Sequence, residues 1–198
     1  MVTAILPAAG SSRRMGAPNK LLLPWKGKPL IRITVENILA AGIEELILVT
    51  GHDAAAVSAA ISDLPIRIIH NSHYESGMTG SIQAGVSIAA GPGLMVCLSD
   101  MALITPNEYI QLKKAFEQEY TRNIHCIFLP EYKGQKGNPV IFGAAWREAI
   151  LRHPEEDGCK TLVRSHPQHQ VRIPMPADHI LRDIDTPEDY QQLIHPSE

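Results

Sequence analysis

Short apolar runs alternate with amphipathic stretches along the first two-thirds of the chain. Val2–Pro7, Glu45–Thr50, Ile66–His70, Leu94–Ser99 and Ile124–Pro130 are almost continuously apolar, the pattern of strands in a sheet covered on both faces. Between them the period lengthens. Pro29–Ala41 carries Ile31, Val35, Ile38 and Leu39 on one face, with Pro29 near its start and Gly42 as a stop, and is predicted to be a helix. Asp53–Ser62 and Thr79–Ala90 also read as helices, the latter with Ile82, Val86 and Ala89 on one stripe. Thr105-Pro106-Asn107-Glu108 opens another, combining an N-cap hydroxyl, a first-turn proline and a capping-box glutamate. Strand, helix and strand in this succession imply right-handed crossovers and a mainly parallel sheet.

The later part of the chain is less regular. Glu131–Asn138 is polar with two glycines and predicts a loop or hairpin before a strand at Pro139–Phe142. Ala144–Arg152 reads as a helix, His153–Gly158 as a turn, Lys160–Ser165 as a short helix and Gln170–Ile173 as a strand. Pro174 and Pro176 break the chain, Ile180–Ile184 reads as a last short strand, and Thr186-Pro187-Glu188-Asp189 repeats the cap logic at a terminal helix. Without an internal repeat, low-complexity segment or linker, residues 1–198 are expected to form a single α/β domain with a decorated C-terminal half.

Composition narrows the function classes. The 198 residues are 44% hydrophobic and 20% charged with a formal net charge of −3, ordinary values for a globular protein. That balance argues against nucleic acid as a partner, so the basic residues near the start form a local cluster. No run approaches the roughly 18 apolar residues of a membrane span, so no membrane partner is expected. The apolar first ten residues lack a basic leading segment, and the arginines follow the run instead of preceding it, unlike a signal peptide. Three scattered cysteines, Cys97, Cys126 and Cys159, fit a reduced cytoplasmic protein, with the first two as small core residues.

The chemistry concentrates at three places. Ile5-Leu6-Pro7-Ala8-Ala9-Gly10-Ser11-Ser12-Arg13-Arg14-Met15-Gly16, followed by Lys20, runs from a strand into small residues, hydroxyls and cations. Small residues let backbone amides approach an anion, and arginine and lysine match a polyphosphate. A tight turn beside a solvated basic face is the alternative. The stretch fits neither the P-loop nor the GxGxxG pattern. Asp100 follows a strand, where a parallel sheet presents ligands at its carboxyl edge, and Asp183 and Asp185 share a face if the chain is extended. Such carboxylates suit Mg²⁺ bridged to phosphates, while a helix cap or turn would explain each one singly. Asn71–Ser81 is a polar strand-to-helix loop. The nine histidines form no HxxxH or HExxH pattern, and there is no GxSxG elbow.

In this order the pieces resemble the MobA-like nucleotidyltransferases, specifically the molybdenum cofactor cytidylyltransferase branch. Ala8 to Gly16 is similar to that family's AAGxSxRMG signature, and Lys20-Leu21-Leu22-Leu23-Pro24 to the lysine segment that follows. Asn71–Ser81 resembles its N-x-x-Y-x-x-G-M-x-x-S loop, and Ser99-Asp100-Met101 its metal-binding turn. Gly137-Asn138-Pro139 and Asp183-Ile184-Asp185-Thr186-Pro187-Glu188-Asp189 resemble its late motifs. The likeness spans nearly the whole chain. Ala102 stands where the family usually has proline, Asn138 where it usually has histidine, and Glu156-Asp157-Gly158 matches its Gly-Asp-x-Gly turn only in part.

The resemblance implies a Rossmann-like three-layer α/β/α fold with a mainly parallel sheet, and transfer of CMP from CTP to the terminal phosphate of molybdopterin. It further implies Mg²⁺ on Asp100 and Asp185, with Arg14 and Lys20 stabilising developing charge beside Asp100 as the catalytic set. Ala8, Ala9, Gly10, Ser12, Arg14, Lys20, Asn71, Gly77 and Ser81 would bind the nucleotide, and Asn138 and Asp157 the acceptor. A molybdoenzyme would receive the product. Guanylyltransferase relatives typically have Ala-Gly-Gly at residues 8–10, so the Ala9 methyl is expected to narrow the base pocket toward a pyrimidine. A guanylyltransferase, a sugar- or polyol-phosphate cytidylyltransferase and a non-catalytic cofactor chaperone are the alternatives.

Overall fold

The apolar runs at Val2–Ala8, Glu45–Thr50 and Gly93–Val96 become strands because both of their faces are buried, whereas the run at Arg67–His70 lies at the sheet edge and stays largely exposed. The computed structural model describes residues 1–11, 15, 19–154 and 156–195. Its central strand, β1 (Val2–Ala8), precedes a two-residue hairpin, β2 (Pro24–Trp25) and β3 (Lys28–Pro29). Then come α1 (Leu30–Ala40), β4 (Glu45–Thr50), α2 (Ala54–Ala59), β5 (Arg67–His70), α3 (Met78–Ile88), β6 (Gly93–Val96) and α4 (Pro106–Glu119). The later elements are β7 (Ile127–Tyr132), β8 (Gln135–Lys136), β9 (Val140–Gly143), α5 (Arg147–Leu151), α6 (Lys160–Ser165), β10 (Gln170–Pro174) and α7 (Pro187–Ile194).

The main sheet runs β10-β7-β9-β6-β1-β4-β5, with β8 paired to β7. β1, β4, β5 and β6 are mutually parallel, and β10 is parallel to β7. β9 is antiparallel to both β6 and β7. Successive side chains point to opposite faces of a strand, and that alternation produces two cores. Val2, Ala4 and Leu6 of β1 join Leu46 and Leu48 of β4 under α1 and α4. Ile5, Ile47 and Val49 pack on the other face with Ile82 and Val86 of α3 and with Ile150 of α5. Helices therefore cover both faces of a mainly parallel sheet.

Strand order and one close helix contact place the crevice. From β1 the chain winds outward through β4 and β5, then crosses back to β6 on the other side of β1. The carboxyl ends of β1 and β6 thus flank a topological switch point, where open α/β sheets form their crevice. Gly85 brings α3 close to β1: a Cβ there would stand 2.5 Å from Ile5 Cγ2.

Several boundaries differ from expectation. Ile180–Ile184 is not a strand. Asp178–Leu181 winds into a 3₁₀ turn, and Ile180 offers its carbonyl to Asn138 N at 3.0 Å, not to a sheet partner. Its apolar ends reflect anchoring, since Ile180 is buried in the first core and Ile184 in a small third one with Leu30, Ala102 and Leu193. Ala144–Arg152 divides into a 3₁₀ turn and α5, whereas Glu131–Asn138 holds the β7–β8 hairpin that its polar, glycine-bearing sequence predicted. No described helix is long and apolar enough to cross a membrane.

Candidate active site

A cavity of about 730 Å³ opens at the carboxyl edge of the sheet, within the range typical of small-molecule sites. The end of β1 contributes Pro7, Ala9, Gly10 and Ser11, and the following 3₁₀ turn contributes Lys20 and Leu21. His52 comes from the loop after β4, Tyr74 and Glu75 from the loop after β5, and Gly77, Met78 and Ser81 from the start of α3. Ser99 and Asp100 after β6, with Asp185 before α7, complete the lining.

The carboxylates converge at one end. Asp100, Asp183 and Asp185 each offer an oxygen within 4.8 Å of the others. Lys20 Nζ lies 2.5 Å from Asp100 Oδ2 and 2.5 Å from Asp185 Oδ1. Burial pushes the Asp100 carboxyl above its ordinary range despite the Lys20 ammonium, and Asp183 and Asp185 add to the rise. Burial acts to lower the Lys20 pKa, but Asp100 and Asp185 outweigh it and hold the ammonium above its usual value. Asp100 Oδ1 is buried without a hydrogen-bond partner among the described residues. Three carboxylates with no thiolate or imidazole form a hard oxygen donor set, suited to Mg²⁺ or Mn²⁺, and a coordinated cation would satisfy the orphaned oxygen. The residues fit such an ion.

Local structure explains why these residues meet. Ile184 N donates to Asp100 O at 3.2 Å, tying the two acidic segments by their backbones. Asp189 Oδ2 accepts from Asp185 N, Thr186 N and Thr186 Oγ1 in the α7 capping box, which fixes the approach of Asp185. On the other arm, Asn37 Nδ2 of α1 donates to the carbonyls of Ala102 and Ile104, and Thr34 Oγ1 to that of Ser99. Those contacts hold the turn that carries Ala102 in place of proline. Glu108 spans both arms: its Oε2 accepts from Thr105 at the start of α4 and lies 3.1 Å from His179 Nδ1.

The N-terminus of α3 borders the same cavity. Gly77 takes φ +104° and ψ 179° at the N-cap of α3 and supplies no side-chain acceptor. The first-turn amides of an 11-residue helix are thereby presented beside the cavity, an arrangement that favours an anion. Gly51 permits a close approach at the other wall, where a Cβ would stand 2.5 Å from that of Tyr74 and 2.7 Å from that of Ala9. Residues 4–171 match the MobA-like NTP transferase domain. The chain belongs to that family.

Its relatives carry more than one activity. The nicotine blue oxidoreductase of Paenarthrobacter nicotinovorans is 27% identical over 205 residues, covering 98% of this MobA-like chain and 96% of its own. The molybdenum cofactor cytidylyltransferase of Escherichia coli (strain K12) is 25% identical over 190 residues, covering 96% and 93%. A nucleotidyl transferase from Methanothermobacter thermautotroptrophicus has the same fold, with a TM-score of 0.84 at 22% identity over 98% and 96% of the two chains. A Mycobacterium tuberculosis H37Rv protein in complex with manganese gives 0.78 at 21% identity, over 99% of each.

Within this MobA-like fold the expected site residues divide. Ala9, Gly10, Lys20, Gly77, Ser81, Asp100 and Asp185 line the cavity together. Ala8 turns its side chain into the core. Asn71 lies behind the wall, donating to Ser81 Oγ at 3.0 Å and accepting from His73 N, so it braces the loop instead of lining the cavity. Asn138 and Asp157 are also outside the lining. Asn138 precedes a cis proline and bonds Ile180 O. Asp157 accepts from Thr161 N at 2.6 Å and lies 2.9 Å from His153 Nε2. Burial opposes ionisation of Asp157, yet Thr161 and His153 hold its carboxyl down at about 2. Ser12 and Arg14 fall outside the described residues. Sequence reasoning did not single out His52 or carry Asp183 into the metal set. A search for polar residues after every parallel strand would have found the first, and the same-face spacing with Asp185 already pointed to the second.

Proposed function

We propose that this chain is a Mg²⁺-dependent cytidylyltransferase that moves CMP from CTP to the terminal phosphate of a molybdopterin-type cofactor, with release of pyrophosphate. The observation that carries the reading is the set of Asp100, Asp183 and Asp185 beside a nucleotide-sized cavity, with a buried Asp100 oxygen lacking a partner among the described residues. The likeness to the Escherichia coli cytidylyltransferase supports the reaction, and the manganese-containing structure of the same fold supports a divalent ion.

The chemistry asks little of a base. A phosphate oxygen of the acceptor, already anionic, bonds to the α-phosphorus of CTP while the bond to the bridging oxygen breaks and pyrophosphate departs with the electron pair. The obstacle is holding two polyanions together. Asp100, Asp183 and Asp185 would hold the metal. When bound, a divalent cation neutralises charge on the reacting phosphate oxygens. The α3 N-terminus and Lys20 give that charge a second, protein-borne counterweight, with Arg14 assigned the same task. Ala9, on the cavity wall against Gly51 and Tyr74, narrows the space for a base.

One assay tests the reading: pyrophosphate release and label transfer with CTP, GTP, ATP and UTP, Mg²⁺ and molybdopterin. CTP is expected to be preferred, and Asp100→Asn to reduce turnover by roughly a hundredfold or more. A preference for GTP would overturn the base assignment, and transfer to a sugar or polyol phosphate would overturn the acceptor. Cofactor binding without any pyrophosphate would select the chaperone. The 27% identity to the nicotine blue oxidoreductase favours a second reading, an oxidoreductase. Consumption of NADH or NADPH with an added electron acceptor, and no pyrophosphate from any nucleotide, would select it.

A further inference from the structure

Lys20 Nζ sits between two of the three carboxylates that would hold a cation. Its Nζ is hydrogen-bonded to both carboxylates, and its side chain is 16% exposed. The backbone beneath it is pinned. Asn19 caps the 3₁₀ turn by accepting from Leu21 N and donates to Asp53, while Leu21 is buried in the core. The flexible part is the four-carbon stem of the lysine, which can carry its charge elsewhere without moving the chain.

Charge makes the two occupants exclusive. An ammonium bonded to Asp100 and Asp185 and a divalent cation held by the same carboxylates would compete for their charge and repel as like charges. Asp100 Oδ1 is left without a bond among the described residues. A divalent cation would give that oxygen a partner. We propose that Lys20 is a resident counter-cation of the acidic cluster, displaced by the metal and thereby released to the cavity it lines, where an anionic phosphate is its next partner. This rests on the metal reading above. It adds that Lys20 opposes metal binding until a polyphosphate is present, so metal and nucleotide raise each other's affinity through one side chain.

The test is Mn²⁺ affinity without nucleotide, measured by calorimetry on the full chain. Lys20→Met is expected to bind Mn²⁺ about tenfold or more tightly than the wild type, because no internal cation must leave. Lys20→Arg keeps the charge and is expected to stay within about threefold. Equal or weaker binding by Lys20→Met overturns the exchange. If the wild type shows no saturable Mn²⁺ binding, or Asp183→Asn leaves binding unchanged, the metal reading itself fails. A measurement on the wild type guards against a variant that does not fold. The lysine ammonium resonance lost in Lys20→Arg should be visible without metal, sheltered from water exchange by its two carboxylates, and should vanish or shift when Mg²⁺ is added. Its persistence unchanged at saturating Mg²⁺ overturns the proposal.

Discussion

Replacing Gly85 by alanine tests whether the seating of α3 on β1 is as tight as the geometry indicates. The added methyl would stand 2.5 Å from Ile5 Cγ2 and 3.4 Å from both Ile5 Cγ1 and Val49 Cγ2. Ile5 and Val49 are fully buried, so neither can retreat into solvent. Overpacking of this kind costs about 1–3 kcal/mol, and a 2.5 Å contact with a β-branched side chain belongs at the upper end. Alanine returns about 1 kcal/mol of helix propensity. The net loss is therefore about 2 kcal/mol, or a Tm lower by about 4–8 °C for a chain of this size. Ile5→Ala alone should cost about 2–5 kcal/mol through its cavity. In the double variant the new methyl partly fills that cavity, so its loss should fall short of the sum by about 1 kcal/mol or more. Denaturant unfolding of the four proteins measures the cycle. Additivity within about 0.5 kcal/mol, or a stabilised Gly85→Ala, would refute the close approach. A shifted α3 also moves Gly77 and Ser81 at the cavity, so the KM for nucleotide should rise even where the protein remains folded.

Gly77→Ala should lose about 1–3 kcal/mol, because φ +104° with ψ 179° is nearly closed to other residues and the new Cβ would meet that of Glu156 at 3.0 Å; thermal unfolding compares it with Gly80→Ala, whose nearest neighbour is Asn71 Nδ2 at 3.6 Å. Asp157, held at about 2 when folded, contributes stability above its unfolded value near 4 that disappears as pH falls from about 4 to about 2. Asp157→Asn should flatten that part of the acid limb in pH-dependent unfolding, and an unchanged limb would exclude the His153–Thr161 cage as its source. Thr186→Ala removes the N-cap of α7 at about 1 kcal/mol and loosens the capping box that fixes the approach of Asp185, so Mn²⁺ titration should show weaker binding than the small stability loss alone accounts for.

The parts of the fold legible in the sequence are those set by burial and by local hydrogen bonds. Glu45–Thr50 is a strand with the expected bounds because both of its faces enter cores. The capping boxes at Thr105 and Thr186 form as their four-residue patterns predict, since every bond lies within one turn. Long-range geometry was not legible. Nothing local says that β9 inserts antiparallel between β6 and β7. Nor do apolar residues at Ile180 and Ile184 distinguish a strand from a segment pegged at two buried points. Asp100, read from its place after a strand, and Lys20, read from the basic loop, both line the cavity, but Tyr74 and His52 needed the close packing at Gly51 to reveal their wall. Asp157 has the composition of a ligand and the position of a brace, a distinction visible only once Thr161 and His153 are seen to occupy it.

The backbone bond from Ile184 to Asp100 joins residues on either side of β7, β9 and β10. As a polypeptide emerges from the ribosome, every strand of the main sheet is therefore made before its acidic set can be closed. The residues that bring Asp183 and Asp185 add no strand to that sheet; they clasp it through Ile180, Ile184 and the Glu108–His179 contact. A cut between β10 and Asp183 would therefore part Asp183 and Asp185 from Asp100 while every strand of the main sheet stayed on one fragment.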